Sequence, residues 1–74
     1  MTHLAPEVSE VDRLLLEVGD RPEHLIVLLQ GIQERFRYLP ESSLRHLAVQ
    51  TGIAPTEIEA VASFYAQFRR RPMG

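Results

Sequence analysis

FRYLPESSLRHLAVQTGIAPTEIEAVASFYAQF, residues 36–68, is the stretch whose reading decides the fold. Leu44, Leu47 and Ala48 share one face of a first helical segment. Ile58, Val61, Ala62, Tyr65 and Phe68 share one face of a second. Leu39 precedes a proline and is biased toward extended geometry, so Pro40-Glu41-Ser42-Ser43 opens the first helix. Gly52 stops it as a C′ glycine, and Ile53 can fold back on it as in a Schellman end. Pro55-Thr56-Glu57 opens the second, with Ala54 or Thr56 as cap. The pair has the outline of a helix-turn-helix.

Working back from that stretch, two more helices come into view. Leu25, Ile26, Leu28, Leu29, Ile32 and Phe36 form the strongest apolar stripe, the expected centre of the core. Gly31 lies inside this helix, where it costs about 1 kcal/mol against alanine. Close packing by a neighbouring helix explains it better than a hinge. Asp20 can accept bonds from orphan N–H groups at the start, and Pro22 suits the first turn. Before it, Val8, Val11, Leu14, Leu15 and Val18 recur at helical spacing, opened by Pro6 or Ser9 and closed by Gly19-Asp20. Leu16 falls off that stripe. The expected division is a loose lead-in over 1–7, a helical domain over 8–68 and a basic exit linker over 69–74. With no strand signal, the fold class is all-α: a small four-helix bundle with a helix-turn-helix-like C-terminal pair.

Seventy-four residues make one domain at most, near the lower limit for a self-sufficient core. The chain has no cysteine, so it offers no disulfide, no thiolate metal site and no iron–sulfur ligation. No basic region followed by an apolar run opens the chain, and no apolar run approaches the ~20 residues that span a bilayer. A cytoplasmic chain without membrane insertion is expected. The formal charge of −2 is uneven: residues 1–68 carry five arginines against ten acids, followed by Arg69, Arg70 and Arg71. Three adjacent arginines suit a solvated exit segment, or a grip on a phosphate or an acidic partner.

No constellation points to catalysis. His3, His24 and His46 stand on separate elements without ligand spacing, which favours surface histidines over a metal site. Glu57 and Glu59 lie two apart on a helix and diverge, so they read as solvent-facing charge rather than an acid/base pair. No catalytic, cofactor-binding or metal-binding residue is assigned. DNA binding is the local alternative, because LRHLAVQTGIAPTEIEAVASF has helix-turn-helix spacing. Its would-be recognition helix turns Glu57, Glu59, Ala60 and Ser63 outward, and no arginine or lysine stands between Leu47 and Gln67. The geometry suits nucleic acid; the charges repel it. Tyr65 lies on the core stripe, whereas Phe64 sits about 100° round the helix. Phe64 either packs on the first helix or anchors a partner surface.

The residues also carry a resemblance. The Leu-rich helix ending in Gln33-Glu34, then Tyr38-Leu39-Pro40, Leu44, Leu47-Ala48, Gly52-Ile53, Glu57-Ile58 and Val61-Ala62-Ser63-Phe64-Tyr65 with Phe68 occur in order. That succession resembles the N-terminal helical segment of NuoE/HoxE-like subunits. These are the thioredoxin-like 2Fe-2S subunits of NADH:quinone oxidoreductase (complex I) and of NAD-dependent hydrogenases and formate dehydrogenases. The similarity covers about residues 24 to 74, and Arg71-Pro72-Met73-Gly74 resembles the link that precedes the family's ferredoxin domain.

Two departures accompany it. Arg37 stands where the family usually has glycine or another small residue, and a left-handed turn there would cost about 1–2 kcal/mol. The sequence also stops where the thioredoxin-like domain would begin, so the cysteines needed for the family's 2Fe-2S cluster are absent. The resemblance implies a docking or assembly role beside the FMN- and NADH-binding flavoprotein subunit of an oxidoreductase complex, not an enzyme in its own right. Phe64, Tyr65, Phe68, Arg69, Arg70 and Arg71 are the expected partner-binding residues. The competing expectations are a helix-turn-helix DNA-binding protein and a structural helical bundle without a partner.

Overall fold

The computed structural model describes residues 5–72. The element order is α1 (Pro6–Val18), a 3-10 turn (Pro22–His24), α2 (Leu25–Phe36), α3 (Glu41–Thr51) and α4 (Pro55–Phe64). No strand occurs among the described residues, and the all-α four-helix bundle is the observed architecture. Prolines open α1, the 3-10 turn and α4, where a missing N–H leaves nothing unsatisfied. The expected cap at Asp20 is not made: Arg21 precedes the 3-10 turn, and no side-chain cap bond forms there. Ala54 rather than Thr56 stands at the start of α4.

The core is one cluster drawn from every helix. Val11 and Leu14 from α1 meet Leu25, Leu28, Leu29 and Ile32 from α2, with Leu44, Leu47 and Ala48 from α3 and Ile58 and Ala62 from α4. Leu15, Val18, Ile26, Phe36 and Val61 pack partly buried against it. Three members of the core cluster lie outside the helices: Leu39, Ile53 and Phe68. Leu39 is fully buried because the extended geometry imposed by Pro40 drops it between helices rather than into solvent. Leu16 is 88% exposed, as its place off the stripe requires.

Gly31 marks a close approach of α1 to α2. A Cβ placed there would stand 2.6 Å from Leu14 Cδ2 and 3.1 Å from Leu14 Cδ1. The glycine is therefore a packing device, not a hinge. On the same seam Arg35 reaches Glu10 at 2.9 Å and Glu17 at 3.6 Å. Ser43 on α3 is fully buried, and its hydroxyl donates to the Glu7 carbonyl at 2.7 Å, pinning the first turn of α1.

Both inner connections end their helices in left-handed residues. Gly52 has φ 77° and donates its N–H to the Ala48 carbonyl at 2.9 Å. Thr51 Oγ1 donates to the Leu47 carbonyl and accepts from the Ile53 N–H, while Ile53 is buried. Arg37 ends α2 at φ 71°, the one non-glycine residue with positive φ among those described. Left-handed geometry at such a residue costs about 1–2 kcal/mol. A cation at a helix's negative end regains only about 0.3–1 kcal/mol. Arginine at 37 thus carries a net local strain.

The last helix is shorter than its apolar period suggests. It stops at Phe64, and Tyr65 is extended at φ −92°, ψ 118°. The period continues to Phe68, but there Gln67 and Arg69 bond to Gln33 and Leu39 instead of extending the helix. The linker expected from residue 69 onward is correspondingly tied to the bundle through residue 70.

Candidate partner-docking surface

The six residues expected to meet a partner all lie where α4 ends. Phe64 is 79% exposed and does not pack on α1, which removes that explanation for an aromatic residue off the core stripe. Its ring stands edge-on to Tyr65 at 5.3 Å between centroids, and Tyr65 stands edge-on to Phe68 at 6.1 Å. Tyr65 is 36% exposed and Phe68 is buried. The three rings thus form a graded series from solvent to core, each in the edge-to-face arrangement that aromatic quadrupoles favour. Tyr65 leaves the core face because the backbone turns extended at that position.

A clamp holds the segment beyond the rings. The Gln33 side chain donates from Nε2 to the Gln67 carbonyl and accepts from the Arg69 N–H at Oε1, both at 2.6 Å. The Leu39 N–H donates to the Arg69 carbonyl at 2.6 Å. One amide side chain therefore reads two backbone groups as a neighbouring strand would, and a third bond ties the same segment to the α2–α3 connection. Phe68 drops into the core between the two residues Gln33 holds. Periodicity places Gln33 at the end of a Leu-rich helix but names no partner for it. The missing signal is nonlocal, across more than thirty residues of sequence.

The three arginines do not behave alike. Arg70 pairs with Glu59 on α4, so Glu59 is not the free outward charge expected for it. Its Nε is buried and makes no hydrogen bond. Arg69 and Arg71 are exposed, and neither forms an ion pair among the described residues. An open cleft of about 490 Å³ lies beside the clamp, bordered by Gln30, Glu34 and Arg37 of the α2 end and by Gln67, Phe68 and Arg69.

The two described histidines, His24 and His46, do not share a site. His3 lies outside the described residues. His24 lies 3.8 Å from Glu23, and its Nδ1 is buried without a hydrogen-bond partner. His46 meets Asp12 at 2.7 Å across α3 and α1, a structural contact rather than the isolated surface histidine expected. No group of three His, Cys, Asp or Glu side chains that could hold a metal occurs among the described residues. No helix among them is long and apolar enough to cross a membrane.

Comparison with known proteins places this architecture. The chain matches the family described as thioredoxin-like [2Fe-2S] ferredoxin over residues 11–74. It is 46% identical over 55 residues to the E subunit of NADH-quinone oxidoreductase from Mycobacterium tuberculosis (strain ATCC 25618 / H37Rv). The same identity over the same length holds for the corresponding protein of Mycobacterium bovis (strain ATCC BAA-935 / AF2122/97). Each alignment covers 74% of this chain but 22% of the relative, so the chain spans about a fifth of the length of the relatives it matches. The cluster in the family's description does not fit the residues present. A [2Fe–2S] centre is held by Cys thiolates, with His replacing two of them in Rieske centres, and this sequence contains no cysteine. By its match across residues 11–74, the chain belongs to the thioredoxin-like [2Fe-2S] ferredoxin family.

Proposed function

We propose that this chain is a helical docking module of a cytoplasmic, NAD-linked electron-transfer complex, packing against the flavoprotein subunit that holds FMN and NADH. Membership of the family and the likeness to the E subunit of NADH-quinone oxidoreductase support the complex. Phe64 is the observation that carries the docking role. A large aromatic ring stands 79% exposed at the end of a helix, held in place by Tyr65 rather than by the core. Exposed aromatic rings make effective anchors because they bring a large apolar area with few rotatable bonds. Arg69 and Arg71 follow it as exposed cations with no ion-pair partner among the described residues, while Phe68 is buried and Arg70 pairs with Glu59. The chain supplies no redox centre and no catalytic group of its own in this reading.

Co-purification of the tagged chain with the flavoprotein subunit tests it. Phe64→Ala combined with Arg69→Gln and Arg71→Gln should weaken recovery about tenfold or more, since anchor residues carry most of an interface's energy. Unchanged recovery with a folded triple variant would refute the assignment. The three-residue turn between α3 and α4 keeps the helix-turn-helix reading in play. Duplex DNA should nevertheless give no salt-sensitive gel shift, because the outward face of α4 presents Glu57 and an already paired Glu59.

A further inference from the structure

We propose that the cleft between the α2 end and the clamped segment is a carboxylate-binding site for an acidic segment of a partner chain. Two independent observations meet there. The cleft of about 490 Å³ is lined by both Arg37 and Arg69, with Glu34 as its one acid. Neither arginine has an ion-pair partner among the described residues, so both guanidinium groups are available. Arg37 is also the described non-glycine residue held at positive φ. Glycine would relieve that strain, and the helix-end charge effect does not offset it. Residues kept in strained geometry cluster at binding sites, where the side chain rather than the backbone is what the position needs.

The chemistry of the lining favours a protein segment over a polyanion. Gln30 and Gln67 offer amide donors and acceptors for a peptide backbone, and the Phe68 side borders an otherwise polar cleft. Guanidinium groups match carboxylates in a fork geometry. Residues 1–68 carry ten acids against five arginines, a field that repels a long phosphate backbone but tolerates one or two carboxylates between Arg37 and Arg69. Arg69 also belongs to the proposed docking surface, so the biological occupant of the cleft rests on the docking reading. The site itself can be tested without the complex.

The probe is an acetylated, amidated tetraglutamate peptide, followed by amide chemical shifts of the labelled chain. The tetraglutamine peptide, inorganic phosphate and a short DNA duplex at equal concentration are the comparisons. Shifts confined to residues 30–37 and 67–69, weakened about tenfold in Arg37→Gly and in Arg69→Gln, are expected for loss of one charge-assisted contact. Arg37→Gly should at the same time raise the melting temperature, so binding falls while stability rises. Overturning results are an equal response to tetraglutamine, tighter binding of phosphate or DNA, or unchanged binding by both variants. Peptide binding with failed flavoprotein recovery would retain this site and reject the docking reading; the reverse would reject the site alone.

Discussion

Gly31→Ala should destabilise this protein although alanine is the better helix former, and the effect should reverse when Leu14 is shortened. An added methyl at position 31 would stand 2.6 Å from Leu14 Cδ2, against about 3.5–4.0 Å for carbon atoms at rest. Leu14 cannot simply turn away, because its other methyl lies at 3.1 Å and its Cγ at 3.4 Å from the same point. It is also 4% exposed, so no open space receives it. Overpacking of this kind costs about 1–3 kcal/mol. Alanine's helix propensity returns about 1 kcal/mol, leaving a net loss of about 0–2 kcal/mol.

In a Leu14→Ala background the starting protein is weaker by about 2–5 kcal/mol, but the obstruction is gone. The same Gly31→Ala change should then stabilise by about 1 kcal/mol, the propensity gain alone. Urea unfolding of the four proteins, followed by far-ultraviolet circular dichroism, measures the cycle. Each 1 kcal/mol should also move the melting temperature by about 4–8 °C in a domain of this size. Effects of Gly31→Ala that agree within about 0.5 kcal/mol in the two backgrounds would refute the close-packing account.

Other perturbations reach different parts of the bundle. Gln33→Leu removes both side-chain bonds to residues 67 and 69 and should cost about 1–2 kcal/mol, with faster amide exchange at Arg69 and Leu39 as the specific signature. Exchange unchanged at both amides would show that the clamp is dispensable. Ser43→Ala removes the side-chain bond to the Glu7 carbonyl and should lower stability by about 0.5–1.5 kcal/mol, measured by chemical denaturation. Phe64→Ala should alter stability by no more than about 0.5 kcal/mol, as expected for an exposed side chain making no core contact. A larger loss would show that the ring supports the fold and is not held out for a partner.

The fold was legible where side chains repeat and local chemistry punctuates. Leu25, Leu28, Leu29 and Ile32 lie buried where the helical period placed them, and Gly52 ends α3 in the left-handed geometry that a C′ glycine permits. Gly31 was also readable, since glycine within a helix needs a reason and close approach supplies one. The tertiary roles of Leu39, Ser43 and Gln33 were not legible because they depend on contacts distant in sequence. The same limit blurred the docking surface. Helical periodicity carried Tyr65 onto the core face, whereas the hydrogen bonds at residues 67–69 end the helix before it. Composition grouped three consecutive arginines, yet one of them is spent on Glu59.

The Gln33 clamp also governs how the module would transmit mechanical load. A pull applied beyond Pro72 meets the bonds at residues 67–69 before it can peel α4 from its end. The load passes sideways into α2 and the α2–α3 connection. Without the Gln33 bonds, the load would fall on the Leu39–Arg69 bond, buried Phe68 and the Arg70–Glu59 pair.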